Sequence, residues 1–147
     1  MITFLDFDGT IVEHEYPAIG NCVEGCYTVI AKLQKAGHKI ILNSYRSQSK
    51  SGKLKNALEH INKKGQGIIN PIIEFSKSKV NPFYWNWEIF MTFGFIFIDD
   101  DCLGIPVKNA NAIEGRQVVD WQAVDRQFEE NGIYSTHAVK FFESTAA

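Results

Sequence analysis

Cysteine is scarce in this chain. Three occur in 147 residues, an odd number at no framework spacing. That excludes a small disulfide-stapled fold and points to a reducing compartment. Cys22 and Cys26 stand one helical turn apart with no second pair to complete a zinc site, so they read as small buried hydrophobes. Long apolar runs are missing as well. The most hydrophobic stretch, "IFMTFGFIFI" over Ile89–Ile98, falls short of the roughly 20 residues that span a bilayer. The N-terminus has no basic start and Asp6 interrupts its apolar run, so it does not read as a secretory signal. Neither sign of charge dominates. A formal net charge of −2 makes no general case for nucleic acid as a partner. There is no internal repeat, low-complexity tract or linker. What these absences leave is a soluble cytoplasmic protein with no membrane partner, built as one domain over residues 1–147.

What is present is ordinary globular material, 45% apolar and 22% charged. "ITFL" before Asp6 reads as a short buried strand, and a polar loop over roughly Glu13–Gly20 follows the "DGT" turn. Val23, Cys26, Tyr27, Ile30 and Leu33 recur at helical spacing, with Gly37 as the stop. "HKIILN" is a second strand, ending near Asn43-Ser44. Leu54, Ala57, Leu58 and Ile61 mark a second helix, and "QGIIN" reads as a short third strand. Phe83–Thr92 is aromatic and helical, and "FGFIFI" is a fourth strand running into Asp99-Asp100-Asp101. "GIPVKN" reads as a fifth strand. Asp120 caps a helix carrying Trp121, Val124 and Phe128, "NGIY" ends it, and the tail "ESTAA" frays.

Strands alternating with helices predict an α/β fold, a three-layer α/β/α Rossmann-like arrangement with a mainly parallel sheet. In such folds ligands bind at the carboxyl ends of the strands. Here those ends are Asp6, Ser44 and Asp99. Asp6 and Asp8 stand one residue apart, and close like charges repel. A cation relieves that repulsion, and carboxylate and carbonyl oxygens are the ligands Mg²⁺ prefers. An aspartate is also a nucleophile at phosphorus. A second carboxylate serves as general acid and then base. Thr10 and Ser44 offer hydroxyl donors for phosphoryl oxygens.

"DFDGTIV" resembles the first motif of the haloacid dehalogenase superfamily of phosphohydrolases. "IILNS" resembles its second motif and "FIFIDD" its fourth, in the right order over about residues 1–107. "HEYPAIG" and "IDDDCLGIP" are similar to a small uncapped bacterial and phage subgroup. The resemblance implies that Asp6 is the nucleophile, Asp8 the acid/base and a backbone-carbonyl ligand of Mg²⁺, and Thr10 and Ser44 phosphate binders. It implies that Asp99 or Asp100 contacts the metal directly. The family's third motif, a Lys or Arg that offsets the negative charge, often lies just before the fourth-motif strand, where this chain has "FMTFG". Lys79 is the favoured substitute, Lys77 the next, and Arg46 the competitor as a phosphate-binding cation. The short gaps leave no room for a cap domain. Uncapped members act on large substrates or close their sites by forming homo-oligomers. Residues about 108–147 form a C-terminal extension outside the resemblance.

Other readings stand beside this one. Arg46, Lys50, Lys53, Lys55, Lys63 and Lys64 face only Glu59, as a solvated helix face or as a positive rim for a phosphorylated substrate. His14 is an exposed loop residue or touches a leaving group. The "FYWNW" aromatics are core or a subunit contact. The expected activity is Mg²⁺-dependent hydrolysis of a phosphomonoester, small or large. The rivals are a nucleic-acid end phosphatase, a receiver-like signalling domain and a non-catalytic phosphate-binding homologue.

Overall fold

The computed structural model describes residues 1–110 and 116–135. Its centre is a three-stranded parallel sheet in the order β2-β1-β3, with β1 at Ile2–Leu5, β2 at Lys39–Leu42 and β3 at Phe95–Ile98. These strands are rich in β-branched and aromatic residues, which pack well on a pleated surface. Leu5 is level with both Leu42 and Ile98. The three chains therefore leave the sheet together, and Asp6, Asn43 and Asp99 follow side by side.

Helices α1 (Cys26–Lys35) and α2 (Lys53–Lys64) flank a 3₁₀ turn over Tyr45–Gln48, and α3 (Trp87–Phe93) precedes β3. On α1, Cys26, Val29, Ile30 and Leu33 form the buried stripe at i, i+3, i+4 and i+7. The first helix starts at Cys26 rather than at Val23. Gly25 sits at φ 90° just before it, and the Val23 N–H bonds Ile11 O at 2.8 Å instead. A hairpin of β4 (Val107–Asn109) and β5 (Gln117–Val119) leads into α4 (Trp121–Glu130), capped by the Asp120 carboxylate. Trp121, Val124 and Phe128 line the buried side of α4.

Several sequence expectations need correction. "QGIIN" forms turns after α2, because Gly67 adopts φ 82° and the N–H groups of Ile68 and Ile69 bond back to Gly65 O. The chain instead touches the sheet at Phe75, in a single parallel bridge beside Leu42. "GIPVKN" supplies β4, which pairs antiparallel with β5 and stays out of the parallel sheet. Cys26 and Cys102 are buried, but Cys22 is exposed. The tail "ESTAA" lies outside the described residues.

Burial of the sheet is one-sided. Thr3, Leu5, Ile40, Leu42, Ile96 and Ile98 share one face and are all buried. On the other face Ile2 is exposed, Phe4, Ile41 and Phe95 are half-buried, and only Phe97 is fully covered. Phe83 stacks on Phe95 there, at 5.8 Å between centroids. Among the described residues, no helix is long and apolar enough to cross a membrane.

His38, just before β2, is buried, and its Nε2 donates to Ile133 O at 2.8 Å. Its Nδ1 has no partner. Burial, helped by the nearby α-amino group, pulls its pKa down to about 4. Between about pH 6.5 and 4 the unfolded chain takes up a proton on His38 that the folded chain refuses. Stability is therefore expected to fall as pH falls through that window, by up to about 3 kcal/mol from this group. In urea titrations, His38→Gln keeps a donor for Ile133 O and should flatten that dependence. An unchanged slope in the variant would assign the loss elsewhere.

Candidate active site

The sheet register delivers the first part of the site. Asp6 N–H bonds Ile98 O at 3.0 Å and Asn43 N–H bonds Leu5 O at 2.7 Å, so the ladder runs one residue past the strands. Asp6 and Asp99 are both buried at this edge. Asn43 then supplies the cation. Its side-chain amide donates to Val80 O and accepts from Val80 N–H, each at 2.8 Å, and so fixes the extended segment that carries Lys79. Lys79 Nζ lies 2.9 Å from Asp99 Oδ2 and 3.4 Å from Asp6 Oδ1, with its side chain only 2% exposed. Lys77 is exposed. The tie between Asn43 and Val80 is what sequence spacing left unseen.

The "DGT" turn brings the remaining acids together. Thr10 is fully buried behind the carboxylates. Its hydroxyl lies 3.2 Å from Asp6 Oδ2 and 3.4 Å from Asp100 Oδ1, and accepts the Asp100 N–H at 3.2 Å. The expectation that Thr10 faces a phosphate thus meets a hydroxyl already engaged by Asp6 and Asp100. His14 reaches in from the loop, and its Nε2 donates to Asp100 Oδ2 at 2.8 Å. Gly9 has φ 82°, and a Cβ there would collide with His14 Nε2. Glycine is favoured there by conformation, and a Cβ would also have to displace the His14 ring and the Asp100 carboxylate.

Arg46 is placed differently from the rim that its sequence position suggests. Its side chain is 1% exposed and lies between the rings of Phe7 and Tyr16, at 5.0 and 5.1 Å. Nε and Nη2 bind the two Asp8 oxygens, both at 2.8 Å. Nη1 and Nη2 also donate to Pro17 O at 3.3 Å and Ala18 O at 2.9 Å. An arginine this deep needs such a full set of acceptors. Ser44 caps the 3₁₀ turn, its Oγ accepting the Arg46 N–H at 3.1 Å. The cleft above these groups measures about 340 Å³, and its walls include Asp6, Asp8, Ser44, Arg46, Lys79 and Asp100.

The electrostatics follow from crowding. Burial, then the neighbouring charge of Asp99, pushes Asp6 well above the ordinary carboxylate range, against the pull of Lys79. Burial raises Asp100 too, offset in part by a hydrogen bond shared with Asp6 and by His14. Burial opposes the charge on Lys79, but Asp6 and Asp99 outweigh it and hold its pKa above that of an ordinary lysine. Asp6, Asp99 and Asp100 each offer an oxygen within 4.8 Å of the others. One ammonium does not neutralise three carboxylates. The all-oxygen donor set fits a hard divalent cation.

The last part of the site comes from the end of the chain. Val119 N–H bonds Gly9 O at 3.1 Å, and the Trp121 indole N–H bonds Thr10 O at 2.7 Å. Residues beyond about 107 therefore brace the turn that carries the acids. Their contacts span 110 or more residues, and nothing in local spacing announces them.

No protein-family model matches the chain, and no curated protein does. The solved structure of a conserved protein from Bacteroides thetaiotaomicron is similar, at 26% identity and a TM-score of 0.54, over 88% of this chain and 90% of that one. That share is larger than residues 1–107 make up, so the likeness takes in part of the C-terminal region as well.

Removing the Lys79 charge leaves Asp6 and Asp99 buried without their cation. Lys79→Met is expected to cost about 3–5 kcal/mol at pH 8, read from urea unfolding. The cost should shrink as pH falls, because Asp6 then takes up a proton, and it should shrink when a divalent cation is added. A variant as stable as the parent at pH 8 would show that the pair carries no net stabilisation.

Proposed function

We propose that this chain is a Mg²⁺-dependent phosphohydrolase that cleaves a phosphomonoester, with a Rossmann-like, uncapped fold similar to the haloacid dehalogenase superfamily. The observation that carries the reading is the cluster of Asp6, Asp99 and Asp100 at the carboxyl ends of parallel strands, with Lys79 set against Asp6 and Asp99. Asp6, Asp99 or Asp100 and the Asp8 carbonyl would hold Mg²⁺. When bound, the ion supplies positive charge against the carboxylates and a phosphoryl oxygen.

In this reading an Asp6 oxygen attacks phosphorus, and the bond to the ester oxygen breaks. The leaving oxygen takes its proton from Asp8. Asp8 then accepts a proton from water, whose oxygen attacks the aspartyl-phosphate and frees Asp6 and inorganic phosphate. Lys79 offsets the charge gathered on Asp6 and the phosphoryl group. The guanidinium engages both Asp8 oxygens and leaves each one further lone pair with which to meet a leaving group. That same double contact supports a second reading, a non-catalytic phosphate-binding protein in which Asp8 never turns over.

A phosphatase screen with Mg²⁺ over sugar phosphates, nucleotides and 3′- or 5′-phosphorylated oligonucleotides separates the two. Turnover is expected on a phosphomonoester. Asp6→Asn should abolish it, and Asp8→Asn should lower it about 10²–10⁴-fold, the usual worth of general acid–base help. Near-normal activity in Asp6→Asn, in a preparation free of contaminating phosphatase, rules out the covalent route. Binding of inorganic phosphate without turnover of any ester favours the second reading.

A further inference from the structure

The mouth of the cleft carries two large aromatic side chains that the chemistry above does not use. Tyr16 comes from the loop after the "DGT" turn, and Tyr45 follows Ser44 in the 3₁₀ turn. Both line the same cleft as Asp6 and Lys79, and they are 56% and 58% exposed. Each ring rests on a cation of the site. Arg46 lies 5.1 Å from the centroid of Tyr16, and Lys79 lies 4.4 Å from that of Tyr45. Lys53 also approaches Tyr16, at 5.7 Å, and brings further positive charge to the mouth.

Neither ring is on a loose arm. The loop bearing Tyr16 is tied down through Pro17 O and Ala18 O by the buried guanidinium. Tyr45 sits one residue after the Ser44 cap, and its hydroxyl lies 3.5 Å from Asn81 Oδ1. Rings held in place at low entropic cost suit recognition of a flat partner. The cleft, at about 340 Å³, lies at the small end of the range for single small-molecule ligands.

We propose that Tyr16 and Tyr45 form a leaving-group subsite that takes a planar aromatic group, a nucleobase or a phenyl ring, carried on a small phosphomonoester. The phosphoryl group lies over Asp6 and Lys79, and the plane of the leaving group packs on the exposed tyrosine surface. The words "leaving group" rest on the phosphohydrolase reading; the binding preference does not.

The test titrates the Asp6→Asn protein by calorimetry, with Mg²⁺ present. Adenosine 5′-monophosphate and O-phosphotyrosine are compared with ribose 5-phosphate and glycerol 3-phosphate. At least one planar ligand is expected to bind about tenfold or more tightly than the aliphatic pair, within the range that stacking of one base on aromatic side chains contributes. Which planar ligand it is tells the nucleobase from the phenyl ring. Tyr16→Leu and Tyr45→Leu keep an apolar cover on the cations. They should remove most of the preference with much smaller changes for the aliphatic pair. Should Asp6→Asn not fold, kcat/KM of the otherwise unmutated chain on the same four compounds gives the same comparison. Equal affinity for all four, or equal loss for all four in the leucine variants, overturns the subsite. Selective planar binding by a chain that hydrolyses none of them keeps the subsite and sinks the hydrolase reading. Hydrolysis of all four at one kcat/KM does the reverse.

Discussion

Two buried carboxylates at neighbouring strand ends, with one ammonium between them, set the terms for the rest of this molecule. Two like charges about 4 Å apart repel by about 4 kcal/mol at the effective dielectric near a protein surface, and burial adds to the strain. The parallel register forces Asp6 and Asp99 into that position, since Leu5 is level with Ile98. The fold answers with Lys79, brought in on a segment that Asn43 holds, and with the Thr10 hydroxyl beneath. Asp8 is answered separately, by Arg46. The two ion pairs divide the labour: one sits at the sheet edge, and the other ties the turn to the loop over the cleft.

Much of this was legible in the sequence, for local reasons. Strands such as "ITFL" and "FIFI" and the stripe on α1 are written in short-range patterns, and the order of acidic strand ends follows from a parallel sheet. The errors are equally local in origin. "QGIIN" has strand-like residues, but Gly65 and Gly67 turn the chain there. Arg46 sits in a basic stretch, which left a solvated face, a positive rim and a phosphate-binding role all open to it, and no buried pairing with Asp8 was foreseen. Its burial depends on Asp8, 38 residues earlier, and on carbonyls at 17 and 18. Lys79 could be preferred over Lys77 by spacing, but the bonds to Asn43 that place it join residues 37 apart. Tyr16 and Tyr45 gave no signal, and Trp121 read only as part of a helix face, because an aromatic residue alone does not say whether it fills a core or faces a cleft.

The sheet faces differ in what they ask of the surroundings. One is sealed by aliphatic side chains of all three strands. The other is covered in part by the extended stretch before α3, where Phe83 meets Phe95 and Phe97. That stretch also carries Lys79. Covering the sheet and delivering the site's cation are thus one task for one piece of chain, held at Asn43 on its way past. A change that loosens its aromatic contacts would be felt at the carboxylates, with no direct contact between the two places.

The pins on the "DGT" turn have a consequence in time. Synthesis proceeds from the N-terminus, and every acidic group of the cleft is in the chain once Asp101 has been added. The indole that holds Thr10 O and the amide that holds Gly9 O come at positions 121 and 119. At ordinary elongation rates the gap between Asp101 and Trp121 is about one to four seconds. During it, a growing chain carries the carboxylates without the residues that brace their turn. The first residues to be read as a site are in this sense among the last to be set.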